Sequence, residues 1–131
     1  MSDTPSAENK PKKILIVDDE PIIVRVLESR LKTQGYEVVN AYDGQEGLNK
    51  VRLENPDLII LDIMLPKMDG YRVCRLLKLD DKYKHIPVLM LSARVQNEDK
   101  EKGMAAGADA YITKPFNPKE LLDTIQALLQ T

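Results

Sequence analysis

The sequence predicts an α/β fold, a (βα)5 doubly wound domain with five parallel strands in one sheet and helices on both faces. Three observations predict it. Short apolar runs recur, Ile14-Leu15-Ile16-Val17, Leu58-Ile59-Ile60-Leu61 and Val88-Leu89-Met90-Leu91, and such runs read as strands buried on both faces of a parallel sheet. A longer segment with helical periodicity follows each strand. The helices also carry recognisable start and stop residues.

Residues 1–12, rich in Ser, Pro, Asn and Lys, read as a flexible tail, and 13–131 as the folded domain. Strand one is 13–17. Helix one opens at Pro21, a residue suited to the first helical turn, and stops before Gly35. Ile23, Val26, Leu27 and Leu31 should face the sheet, which leaves Ile22 and Val24 off that face. Strand two is 36–41. Asp43 and Glu46 form a capping box that opens helix two, and Pro56 lies just beyond its end. Strand three is 58–63, followed by a loop punctuated by Pro66 and Gly70. Helix three, 71–79, should bury Val73, Cys74 and Leu77. Strand four is 88–91, helix four a weakly amphipathic 97–104, and strand five 110–113. Asn117 caps helix five, with Pro118 in its first turn and Glu120 as the capping-box acid. Leu121, Leu122, Ile125, Leu128 and Leu129 form its buried stripe. Right-handed crossovers and short connections favour the strand order 2-1-3-4-5, a flavodoxin-like topology with its switch point between strands one and three.

At 131 residues with 43% hydrophobic content, the chain suits one compact domain with a real core. A net charge of −2, with the two signs interspersed, offers no direct nucleic-acid surface. No apolar stretch approaches the ~18 residues of a membrane span, and no signal peptide opens the chain. The single Cys74 fits a reducing cytoplasm and reads as a small buried apolar residue rather than a reactive thiol. His85, the one histidine, has no His or Cys near it in sequence with which to share a metal.

The chemistry gathers at the carboxyl edge of the sheet. Asp18 and Asp19 follow strand one, and Asp62 lies at the end of strand three, where open α/β sheets bind ligands. Bare carboxylates there are costly unless paired. A hard divalent cation would neutralise them and leave one aspartate as a nucleophile, the outline of a phosphoryl-accepting site. Ser92 at the end of strand four and Lys114 after strand five bring a hydroxyl and an ammonium to the same edge. A strand-end serine is commonly a loop cap and a lysine commonly solvated, but five such groups at four strand ends are hard to dismiss.

These residues stand in a recurring order: Val17-Asp18-Asp19-Glu20-Pro21, Leu61-Asp62-Ile63-Met64-Leu65-Pro66 with Met68-Asp69-Gly70, Leu91-Ser92-Ala93, Gly107-Ala108-Asp109-Ala110-Tyr111 and Lys114-Pro115-Phe116. With them the chain resembles the chemotaxis-type receiver domains of two-component response regulators, from Lys12 to Leu129. The resemblance implies a phosphorylation-dependent signalling switch rather than a turnover enzyme. Asp62 would be the phosphoacceptor. Asp19 would bind Mg2+ directly, Asp18 through a water, and the Met64 carbonyl would complete the ligands, with Mn2+ as a substitute ion. Lys114 would contact the phosphate, Ser92 would be the switch hydroxyl and Tyr111 the aromatic switch. The Lys114–Pro115 bond would be cis. The donor would be a phosphohistidine on a sensor histidine kinase or histidine phosphotransfer protein, docking at Pro21, Ile22 and Arg25 with Phe116 opposite. Output would pass through the face of helix four, strand five and helix five, to a downstream protein or an output domain. Self-dephosphorylation would be slow, because Met64 and Arg94 flank the path of the attacking water.

Two features depart from receivers that dimerise through charged pairs on that face. Ala110 stands where a second Asp would follow Gly-Ala-Asp, and Leu122-Asp123-Thr124-Ile125 contains no Arg. A haloacid-dehalogenase-type aspartyl-phosphate hydrolase is the alternative, but it needs Asp-x-Asp where this chain has Asp62-Ile63-Met64. A flavodoxin-type electron carrier would need a phosphate loop after strand one, where Asp18-Asp19-Glu20 would repel phosphate.

Overall fold

The computed structural model describes residues 10–93 and 97–130. The expected tail lies outside them as far as residue 9, and so does Arg94. Strands β1 (Lys13–Val17), β2 (Glu37–Ala41), β3 (Leu58–Leu61), β4 (Val88–Ser92) and β5 (Ala110–Thr113) alternate with helices α1 (Pro21–Thr33), α2 (Gly44–Glu54), α3 (Gly70–Leu79), α4 (Asn97–Ala105) and α5 (Pro118–Leu129). The sheet is parallel in the order β2-β1-β3-β4-β5, as the sequence predicts. Every residue of β3 and β4 is buried, which is why these strands read as unbroken apolar runs. Two cores flank the sheet. Leu15, Ile59 and Met90 face α2, α3 and α4 with Leu48, Val73 and Cys74, while Ile14, Ile60 and Leu89 face α1 and α5 with Leu27, Leu121 and Ile125.

Helix ends follow their sequence signals. Asp43 accepts the Glu46 N–H at 2.7 Å, and the Glu46 carboxylate accepts the Tyr42 N–H at 2.7 Å. Asn55 closes α2 in the left-handed region. Asp69 caps α3, and Asn117 caps α5 through the N–H groups of Lys119 and Glu120. The Lys114–Pro115 bond is cis.

The inward face of α1 differs from the expected one. Val24 is buried and Val26 is 41% exposed. Val24, Leu27 and Leu31 stand at i, i+3 and i+7 and centre the buried stripe; Ile23 falls on its flank and Val26 beyond it. In α5 the burial is narrower than predicted: Leu121 and Ile125 are fully buried, Leu122, Leu128 and Leu129 half-buried. Strand β3 ends at Leu61 rather than Ile63, because its neighbour β1 ends at Val17, the partner of Leu61. Strand β2 starts one residue late, since the Tyr36 N–H closes the end of α1 on the Leu31 carbonyl.

The segment Gly107-Ala108-Asp109 proves to be a brace. Asp109 accepts the Val88 N–H at 2.8 Å and pairs with Lys78 at 3.0 Å. The Lys78 ammonium also donates to the carbonyls of Lys84 and Ile86. All three donors of that ammonium are used where α3, the loop before β4 and the loop before β5 meet.

Candidate functional site

The register of the sheet builds the site. Val17 of β1 faces Leu61 of β3, and each is followed directly by an aspartate. The backbone continues the ladder for one more step: the Asp18 N–H donates to the Ala41 carbonyl and the Asp62 N–H to the Val17 carbonyl. Asp18 and Asp62 therefore stand side by side beyond adjacent strands, 2% and 5% exposed. On the other side, Ser92 ends β4 opposite Thr113, and its carbonyl accepts the Lys114 N–H at 2.8 Å. That bond turns Lys114 back over the strand ends.

The Lys114 ammonium bonds to Asp18 at 2.8 Å, to Glu20 at 2.7 Å and to Asp62 at 3.3 Å. Burial works against this ammonium. Hydrogen bonds to Asp18 and Glu20, with the charges of Asp62 and Asp18, outweigh it and hold the lysine above its ordinary range. The stabilisation this gives is full below the ordinary lysine pKa and is lost only as pH rises through the elevated one. Burial also pushes the Asp18 carboxyl above its ordinary range, against the pull of Lys114 and the Glu20 N–H. One ammonium among three carboxylates leaves the cluster short of positive charge.

The loop after β3 shapes the surroundings of Asp62. One oxygen of Asp62 accepts the Met64 N–H at 3.3 Å, and the other meets Lys114. The loop then folds back so that the Gly70 N–H reaches the Ile63 carbonyl at 2.8 Å. A Cβ on Gly70 would collide with the backbone carbonyl of Asp62. Gly70 therefore lets α3 start directly against the Asp62 backbone, a role its reading as loop punctuation understates. Tyr111, half-buried in β5, has its ring against α4: a Cβ on Gly103 would stand 3.2 Å from the ring and 2.9 Å from the Met90 sulfur.

The sequence singles out Asp18, Asp19, Asp62, Ser92, Tyr111 and Lys114, with the Met64 carbonyl. The structure brings Asp18, Asp62 and Lys114 into contact, with buried Ser92 one strand away. The Asp19 side chain is exposed and outside the acidic group. Glu20, to which the sequence motifs assign no role, takes the third place. Carboxylate oxygens of Asp18, Glu20 and Asp62 all lie within 4.8 Å of one another, a hard-oxygen donor set of the kind Mg2+ takes. The signal for Glu20 was its place as the third acid of one run beside a lysine of unknown reach.

The sequence profile of the response regulator receiver domain family matches residues 14–126. The chain belongs to this family. It is 50% identical over 123 residues to a probable transcriptional regulator ycf27 of Cyanophora paradoxa, covering 94% of this chain and 50% of the relative. It is 48% identical over 119 residues to the alkaline phosphatase synthesis transcriptional regulatory protein PhoP of Bacillus subtilis, covering 91% and 49%. The chain thus spans about half the length of these relatives. Among solved structures, the chemotaxis protein CheY4 of Vibrio cholerae superposes with a TM-score of 0.84 at 38% identity, covering 90% of this chain and 98% of that one. As a response regulator receiver domain, the chain is a signalling module, and the haloacid-dehalogenase alternative is not supported. Receiver domains generally use Mg2+ at an acidic pocket, and this one has such a pocket in Asp18, Glu20 and Asp62. Among the described residues, no helix is long and apolar enough to cross a membrane.

Gly70→Ala should lower stability by roughly 1–3 kcal/mol, the usual range for forcing extra volume into a packed site. Urea denaturation measures it. An unchanged midpoint would mean that the loop does not press on Asp62.

Proposed function

We propose that Asp62 of this receiver domain accepts a phosphoryl group from a phosphohistidine on a partner protein, a sensor histidine kinase or a histidine phosphotransfer protein. The observation that carries this reading is the contact of one buried ammonium, Lys114, with both strand-end aspartates. In the transfer, an Asp62 oxygen bonds to phosphorus while the phosphorus–nitrogen bond of the donor breaks, its electron pair leaving on the imidazole nitrogen. Such a reaction needs alignment and charge neutralisation more than covalent help. Lys114 supplies one positive charge within reach of Asp62, and Ser92 offers a hydroxyl at the end of β4. Mg2+ would be held by Asp18, Asp19 and Asp62 with the Met64 carbonyl, beside the Glu20 carboxylate that pairs with Lys114; when bound, it supplies the positive charge that the carboxylates and a phosphoryl group lack. The new phosphoryl charge then draws Ser92 and frees space for the Tyr111 ring, which lies against α4, so the α4-β5-α5 face carries the output to a downstream protein or an output domain. Water returns the acceptor slowly to its resting form, since the Met64 side chain beside it is apolar and orients no nucleophile. A cytoplasmic setting fits the single, buried Cys74.

With acetyl phosphate and Mg2+ the protein should gain one phosphoryl group, read by intact mass. Asp62→Asn or chelation of the metal should abolish the gain, and after donor removal the label should fade without an added phosphatase. Full labelling of Asp62→Asn would refute the assignment.

Donor docking belongs on α1. Ile22 is 75% exposed, one residue past Pro21 and near the rim of the acidic site. A groove of about 550 Å³ runs between α1 and α5, lined by Arg25, Val26 and Leu122 among others. Ile22→Ala should slow transfer from the kinase while leaving acetyl-phosphate labelling intact. Equal loss with both donors would assign Ile22 to the fold instead.

A further inference from the structure

Lys114 has three N–H donors, and all three are engaged, by Asp18 at 2.8 Å, Glu20 at 2.7 Å and Asp62 at 3.3 Å. A phosphoryl group arriving on Asp62 brings oxygens that call for that same cation. One existing contact must open to receive them. The three differ in what opening costs. The Asp18 side chain is 3% exposed, so abandoning it would strand a carboxylate away from water. The Asp62 contact, the longest of the three, passes from the carboxylate to the phosphoryl group built on it, so an N–H for a second phosphoryl oxygen has to come from Asp18 or Glu20. The Glu20 side chain is 57% exposed, and water replaces the lysine as soon as it leaves.

Local geometry fits a detachable contact. Glu20 is the N-cap residue of α1 but makes no side-chain cap bond, so its carboxylate has no helical duty. Its backbone N–H donates to one oxygen of Asp18 at 3.0 Å, while the other oxygen of Asp18 takes Lys114. The Glu20 side chain then returns to the same ammonium and closes a ring of Asp18, Lys114 and Glu20. The backbone stays tethered to the acceptor edge whether or not the side chain holds the lysine.

We propose that Glu20 is a positioning residue for Lys114: it holds the third N–H in the resting domain and is the contact surrendered when Asp62 carries a phosphoryl group. Glu20 thereby sets how strongly the resting state resists phosphorylation. The inference rests on the reading of Asp62 as phosphoacceptor.

The test is beryllofluoride binding with Mg2+, a mimic of the acyl phosphate, to the wild-type protein and to Glu20→Asp, Glu20→Gln and Asp62→Asn. Glu20→Asp keeps the negative charge but is one methylene too short for Lys114, whereas Glu20→Gln keeps the reach and loses the charge. Both should bind two- to fivefold more tightly than wild type, the range expected for loss of a partly exposed ion pair. The Lys114 ammonium signal in 15N-lysine NMR spectra should shift on beryllofluoride addition in the wild type. In both Glu20 variants its resting position should already lie nearer the bound one, a change that a merely structural role would not produce. Glu20→Asp matching wild type would mean that Glu20 acts only as a repelling charge, and would overturn the proposal. Unchanged or weaker binding in both variants would overturn it too. If wild type fails to bind, or Asp62→Asn binds equally well, the acceptor assignment itself falls; Asp62-dependent binding with inert Glu20 variants defeats the Glu20 inference alone.

Discussion

Placing Asp18 and Asp62 one residue beyond the ends of adjacent parallel strands puts two nearly inaccessible carboxylates side by side, and the fold answers that charge with Lys114. Two like charges in a poorly solvated pocket oppose folding unless a cation joins them. The sheet delivers the cation through the Ser92 carbonyl of β4, which fixes the lysine's backbone at the end of β5, two strands from Asp62. The site is thus a product of register. A one-residue slip of β3 against β1 would part the two carboxylates.

The same constraint bears on the proposed switch. The ammonium that stabilises the resting domain is the group a phosphoryl oxygen would attract, so the resting and modified states compete for one charge. The rigid side of the site is backbone: strand ends, the fold of the loop against Gly70, and the Lys78–Asp109 brace where α3 meets the loops before β4 and β5. Facing it are side chains, Lys114 and Glu20 at the rim and the Tyr111 ring against Gly103 of α4. Helix α4 is suited to movement, since apart from Gly103 it buries only Asp99.

Much of this was legible in the sequence. Unbroken apolar runs identified β1, β3 and β4, because strands covered on both faces leave no room for alternation. Strand order followed from the crossover rule, and Asp43 and Asn117 announced their helices through side-chain caps. The inward face of α1 was less legible: Ile22, Ile23, Val24, Val26 and Leu27 spread over more than half of the helix circumference, Val24 and Val26 about 200° apart, so the apolar pattern does not single out one face. Glu20 was missed because an acid beside two others looks like one more solvated charge until the lysine 94 residues away is seen to reach it. Asp19, prominent in the sequence, lies exposed because the chain turns into α1 just after Asp18.

A double-mutant cycle between Asp18 and Lys114 tests most directly whether this ion pair organises the edge of the sheet. Unfolding free energies of the wild type, Asp18→Asn, Lys114→Met and the double variant would be compared by urea denaturation. Lys114→Met alone should cost roughly 3–5 kcal/mol, since it leaves buried carboxylates without a cation. Asp18→Asn should recover part of that loss in the double variant, with a coupling of about 1–3 kcal/mol. Additive single effects, or a Lys114→Met protein as stable as wild type, would contradict the account.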